Sequence, residues 1–311
     1  VSRLVDIHCH GAAGASLGSS EEASRRALAH HAEAGVGRVV ASLVSASPTD
    51  LRERVAVLAR LVASGDLAGI HLEGPFLSHA RRGAHDPAVL ADPDPALVEQ
   101  LVAVADAAGA PSAIRQLTFA PELPGSEVLV RTLVAHGIRP AVGHTDADAA
   151  QVTRTIGEIA ERQGAPAVVT HLFNGMPPFH HRAGGPAAAA LVAAARGEAV
   201  VELVADGVHL APEVVRMVFE TVGPGNIALV SDATAATGLG DGAYELGAVE
   251  VEVSAGTART TGTGAIAGST STLAECLAWA VEVAGVNAQD ARQAATRTPA
   301  TAVGLEPTTA D

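Results

Sequence analysis

Lysine is absent from this chain of 311 residues, so every basic side chain other than histidine is an arginine. That absence removes the phosphate-binding lysine of P-loops, Schiff-base lysine chemistry and a carbamylated-lysine metal bridge. Any bridging anionic ligand must be aspartate or glutamate. Cysteine is nearly absent too. Cys9 and Cys276 are too few for a disulfide framework and point to a reducing, cytoplasmic setting. Aromatic residues make up only 2% of a chain that is 48% hydrophobic, so the core has to be built from alanine, valine and leucine. No apolar run is long enough to span a bilayer, and the first residues lack the charged-then-apolar pattern of a secretory signal. With a formal net charge of -14, the chain is a poor partner for nucleic acid or an anionic membrane. An anionic small molecule remains allowed, because it responds to local potential.

What is present is a regular alternation. Apolar runs of strand length fall at 4–7, 38–43, 69–72, 117–120, 139–142, 167–170, 200–203 and 227–230. Helical patterns separate them, at 20–34 (with Ser20 as N-cap), 50–64, 95–108, 125–136, 147–163, 186–196 and 211–221. This order predicts an α/β fold, a (β/α)8 TIM-like barrel, as a single domain over 1–311. The stretch 243–261 is β-rich with turn residues and predicts a hairpin insertion after the eighth strand. Two further helices are expected at 273–284 and 287–298.

The suggestive polar residues gather at the predicted strand C-termini, the face on which barrel active sites are assembled. His8-Cys9-His10 closes the first strand, where period-two alternation turns both imidazoles one way and Cys9 the other. Glu73 closes the third, His144 the fifth, His171 the sixth and Asp232 the eighth. Nitrogen and oxygen ligands of this mix suit Zn²⁺ or Fe²⁺, as one or two ions, better than Ca²⁺ or Mg²⁺. His71, two residues before Glu73, reads as a support for the ligands. Asn174-Gly175 offers backbone N–H groups to an anion. His180, His181 and Arg182 form a local basic cluster, and a guanidinium grips phosphate with two parallel bonds. Cys9 and Cys276 read as inert packing, His30, His31 and His136 as surface or helix-end residues, and 11–18 as a flexible active-site loop.

The motif string resembles the amidohydrolase superfamily, in its branch of amino-sugar-phosphate deacetylases. The pieces are VDIHCHG at 5–11, HLEGPF at 71–76, RGAHDP at 82–87, FAPE at 119–122 and GHTDA at 143–147. They continue with THLFNGMPP at 170–178, ADGVHL at 205–210, SDAT at 231–234 and AGSTSTL at 267–273. The resemblance implies metal-dependent hydrolysis of the acetamide of N-acetylglucosamine-6-phosphate by a homodimer. It implies Glu73, His144 and His171 as ligands of the principal metal and His8 and His10 as holders of a second. Asp232 would be the catalytic base and His85 a contact to the substrate amide. Ala84, Asn174, Gly175, Arg182, His209 and the Ile266-Ala267-Gly268 turn would bind substrate, and a partner subunit would add to the phosphate contacts. The small β-sandwich of the family has no counterpart expected within 1–311. Two other readings share the metal residues: an amidohydrolase acting on an N-acyl amino acid or cyclic amide, and a non-catalytic sugar-phosphate-binding barrel.

Overall fold

The computed structural model describes residues 3–307. Eight strands form one sheet in sequence order: β1 (Leu4–Cys9), β2 (Val36–Val44), β3 (Gly69–Glu73), β4 (Ile114–Phe119), β5 (Arg139–Val142), β6 (Ala167–Val169), β7 (Ala199–Val204) and β8 (Ile227–Val230). Every neighbouring pair is parallel. The ring closes where the Asp232 N–H donates to His8 O at 2.9 Å and Cys9 bridges Ala233. The architecture is therefore the (β/α)8 barrel expected from the alternation. Helices α1 (Glu21–Glu33), α2 (Pro48–Ala63), α3 (Pro95–Ala107), α4 (Ser126–Ala135), α5 (Ala149–Gln163), α6 (Gly185–Ala195) and α7 (Pro212–Val222) wrap it. Several start on side-chain caps that satisfy otherwise unpaired N–H groups: Ser20 for α1, Ser47 for α2, Asp94 for α3 and Asp148 for α5.

Alternation along the strands sorts side chains into two cores. Leu43, Leu72, Leu117, Phe119 and Val169 face outward and pack with helix residues such as Leu58, Leu101 and Ile156. Val5, Ile7, Val40, Val168 and Val200 face inward and pack with Ala300, Val303 and Leu305, which plug the N-terminal end. Strict alternation would turn His8 outward after the inward Ile7. An irregularity in the β1–β2 register between Asp6 and Cys9 resets the phase, so His8 and His10 both enter the lumen while Cys9 faces α1.

Three expectations need correction. The 243–261 segment holds three strands rather than two: β9 (Gly242–Leu246), β10 (Val249–Ser254) and β11 (Thr257–Thr260) form an antiparallel sheet of their own. Turns at Gly247 and Gly256, both with positive φ, make the two reversals. The 11–18 stretch is not a loose loop. Gly11–Ala12 pairs with Ala15–Ser16, and Leu17 N–H donates to His10 O at 2.8 Å. Lastly, the helix expected at 287–298 is split into α9 (Ala288–Ala294) and α10 (Arg297–Ala302), after α8 (Leu273–Glu282). Pro299 has no N–H for a continuing helix but fits the first turn of a new one. No β-sandwich forms among the described residues.

Candidate metal centre

The six ligand candidates meet at the C-terminal mouth. Glu73 Oε1 lies 3.0 Å from His144 Nε2 and 3.0 Å from His171 Nε2, and those two nitrogens are 3.0 Å apart. Glu73 Oε2 lies 3.2 Å from His10 Nε2. Asp232 Oδ1 is 3.2 Å from His10 Nε2 and 3.4 Å from His8 Nε2, with the two imidazoles 3.2 Å apart. Glu73 thus stands between two sets, one with His144 and His171, the other with His8, His10 and Asp232. All six side chains are buried.

The outer atoms of three rings decide which nitrogen faces inward. His8 Nδ1 donates to Glu202 Oε2 at 2.9 Å, His10 Nδ1 to Ser42 O at 3.1 Å and His144 Nδ1 to Arg81 O at 2.8 Å. Each leaves its Nε2 lone pair pointing at the others. Ligand atoms about 2.0–2.2 Å from one zinc ion lie roughly 3–3.5 Å apart, the spacing seen here. Converging lone pairs and carboxylate oxygens repel unless a cation sits among them, so the donor set fits a divalent metal.

The electrostatics agree. Burial opposes a charge on His10, yet the hydrogen bonds its ring N–H would donate to the Asp232 and Glu73 carboxylates lift its pKa to about 9. His8 is raised well above its ordinary value, against burial, by the charges of Glu73, Asp232 and Glu202. Glu73 and Asp232 are likewise held below the usual carboxylate range despite burial, by His8 first. The field that draws protons onto these imidazoles would favour a divalent cation in their place, with proton release.

His85 has the opposite character. Burial pushes it down to about 4, so it is neutral near pH 7. Its Nδ1 accepts from Ser45 N–H at 3.2 Å, which places the proton on Nε2, 3.5 Å from Glu73 Oε2. The ring presents an N–H donor to the cavity rather than a ligand lone pair. Backbone strain concentrates here too. His144, His171 and Asp232 have φ of 46°, 29° and 51°, the left-handed region that costs a non-glycine residue about 1–3 kcal/mol.

A cavity of about 220 Å³ opens above the ligands, walled by His10, Glu73, His144, His171 and Asp232 together with Ala84, His85, Asn174, Gly175, His209, Ile266 and Gly268. Val44 and Leu246 add an apolar side. His209 is clamped by Asp206, with Nδ1 2.8 Å from Oδ2, and its Nε2 lies 3.8 Å from Asp232 Oδ2. Two expected residues stand apart from this wall. Ala267 is buried behind it, in a cluster with Val44 and Leu246. Arg182 is exposed and bonds its neighbour His181 at 2.8 Å.

Sequence reading missed the layer beneath. Glu202 accepts from His8, from Gln116 Nε2 at 2.8 Å and from His171 N–H at 3.1 Å. A lone carboxylate in the buried strand AVVELV was the available signal. His71 bridges Ser42 Oγ at 2.8 Å and Thr118 Oγ1 at 2.7 Å, and its ring stands edge-on to that of His8 with centroids 4.7 Å apart. His31 is not at the surface. It is fully buried against Cys9 Sγ at 3.2 Å and Gly11 O at 3.1 Å, so Cys9 has a polar neighbour where only packing was expected. His136 does sit at a helix end, paired with Glu99.

A parallel barrel with imidazoles and carboxylates converging at its C-terminal mouth defines a class. Residues 4–309 match the amidohydrolase family, and the chain belongs to it. That family is metal-dependent. Among its members the similarity is to N-acetylglucosamine-6-phosphate deacetylases. The Bos taurus enzyme is 32% identical over 97% of this chain and 74% of its own length. The Vibrio furnissii enzyme is 30% identical over 97% of this chain and 73% of its own. The Mycobacterium smegmatis deacetylase, solved in complex with N-acetyl-D-glucosamine-6-phosphate, superposes with a TM-score of 0.90 at 40% identity. That match covers 99% of this chain and 78% of that one.

Proposed function

We propose that this barrel hydrolyses the acetamide of N-acetylglucosamine-6-phosphate, giving glucosamine-6-phosphate and acetate. The observation that carries this reading is the convergence of four Nε2 atoms on Glu73 and Asp232 within 3.0–3.6 Å. The similarity to deacetylases supplies the substrate.

Glu73, His144 and His171 would hold the principal Zn²⁺ or Fe²⁺, with His8 and His10 holding a second ion. Such a cation supplies Lewis acidity and lowers the pKa of water to about 7. The remaining work belongs to the chain. Asp232, carboxylate at neutral pH, takes the proton of the attacking water as its oxygen bonds the acetamide carbon. His85 Nε2–H donates to the carbonyl oxygen as negative charge develops. The C–N bond then breaks, and Asp232 returns the proton to the departing amine. His209, fixed by Asp206, and the Asn174-Gly175 backbone orient the sugar. The apolar wall of Val44 and Leu246 suits the acetyl methyl.

Arg182 contacts the substrate phosphate only if the loop carrying it turns inward or a partner subunit completes the pocket. The homodimer and the cytoplasmic setting are part of the same proposal. Phe179, 57% exposed beside the basic cluster, offers an apolar anchor for a second subunit, and both cysteines are free and buried. Arg182 standing outside the cavity keeps one alternative in play, an unphosphorylated N-acyl substrate.

The test compares acetate release from N-acetylglucosamine-6-phosphate and from the unphosphorylated sugar. Release from the phosphorylated sugar alone is expected. Equal rates would transfer the site to a broader amidohydrolase, and release from neither by metal-loaded protein would leave a binding barrel.

A further inference from the structure

The opposite end of the barrel carries a charge pattern that catalysis does not use. In a chain with 34 acidic residues against 20 arginines, Arg38, Arg115, Arg139 and Arg297 gather at the N-terminal rim. None has a carboxylate partner among the described residues. Arg38 donates only to a backbone carbonyl, Glu306 O at 2.6 Å, and Arg115 Nε is buried with no partner. Arg38, Arg115 and Arg139 are half-buried, and burial pushes each guanidinium pKa down. Arg38 adds its repulsion to Arg115. Half-burying neighbouring cations without a counter-charge is costly.

The backbone makes room for this arrangement. Gly69, first residue of β3, lies under the Arg115 stem, and a Cβ there would collide with Arg115 Cγ. Gly304, with φ of +67°, lies beneath the Arg139 guanidinium. Arg139 and Arg297 line one cavity of about 500 Å³ together with Gln293, whose side-chain amide also has no hydrogen-bond partner among the described residues. The hydroxyls of Thr298 and Thr301 in that wall already donate to Pro224 O and Arg297 O. The unpartnered donors are therefore two guanidinium forks and one amide. Forked N–H pairs match the oxygens of a phosphate group, and the volume is that of a small-molecule site rather than of a bare ion.

We propose that this cavity is a second anion site, remote from the catalytic mouth, that takes the phosphate group of a small phosphorylated molecule. It stands independently of the substrate assigned above. The probe is inorganic phosphate, titrated into the full chain by calorimetry at constant ionic strength with chloride as the balancing anion. The double variant Arg139→Ala/Arg297→Ala is expected to bind one phosphate fewer per chain, or to weaken phosphate at least tenfold, with kcat/KM within twofold of wild type. A second variant guards against misfolding. Arg139→Glu places a carboxylate in the cavity that Arg297 also lines, and should raise Tm in phosphate-free buffer while losing the phosphate-induced rise. Phosphate stoichiometry and affinity unchanged in the double variant, or a phosphate-induced rise in Tm kept by Arg139→Glu, would overturn the site.

Discussion

The two ends of this barrel are built from the same eight strands and behave as opposites. At the N-terminal end, inward side chains are Val5, Val40, Val168 and Val200, closed by Leu305 and Val303 from below. Their contribution is burial, about 25 cal/mol per Å² of apolar surface, and the residues are interchangeable in chemical terms. At the mouth, inward side chains are His8, His10, Glu73 and His171, each with assigned partners, and three residues sit at left-handed φ. The apolar plug stabilises, whereas the mouth holds groups in arrangements that destabilise the metal-free chain. Between them lies a polar layer, Glu202, Gln116, His71 and Thr118, which orients the ligands from beneath.

Substitutions can break this division, and the largest effect belongs to the mouth. Asp232→Asn should lower turnover by about 10²- to 10⁴-fold, the usual weight of a general base. Folding and bound zinc should be kept, as read by calorimetric Tm and metal content. The converse change, Leu305→Ala at the plug, should cost about 2 to 5 kcal/mol of stability in urea titrations. Activity per folded molecule should stay at wild-type level. Glu202→Gln probes the layer between. Weakening the acceptor for His8 Nδ1 should reduce zinc affinity about 10- to 100-fold in a chelator competition, with a near-native fold.

The smallest effect concerns the Asp206–His209 pair. Burial opposes charge on both, yet their mutual hydrogen bond lowers the Asp206 pKa and raises that of His209. The stability from Asp206 is present above about pH 4 and is lost on acidification. The stability from His209 is present below about 6.5 and is lost as pH rises through its folded value. Asp206→Asn should therefore cost about 1 kcal/mol between these limits. The difference from wild type should shrink toward pH 9 in parallel denaturation curves.

The mouth was legible in the sequence because its candidate ligands are chemically rare residues at strand ends, where a barrel leaves no other place for them. The layer beneath was not. Glu202 and Gln116 lie inside strands, and only the closed lumen brings them to His8 and His171. Gln116 also hid the start of β4, because a polar Arg115-Gln116 pair interrupts the apolar run by which a strand is recognised. His31 does lie in the last turn of α1, but its burial was hidden for a similar reason. Its helix is amphipathic by composition, but the polar partners on its buried side, Gly11 O and Cys9, come from a neighbouring segment. The phase reset in β1 is invisible in one strand alone, since it is a property of its pairing with β2.

The account rests on a cation at the mouth serving amide hydrolysis. The most direct measurement is acetate release from N-acetylglucosamine-6-phosphate as zinc is added stepwise to chelator-stripped protein, with bound metal measured at each step. The account predicts negligible release from stripped protein, a rise in proportion to zinc bound at the mouth, and loss of that rise in His144→Ala/His171→Ala. Release at full rate without metal, or zinc bound to saturation with no release, would contradict it.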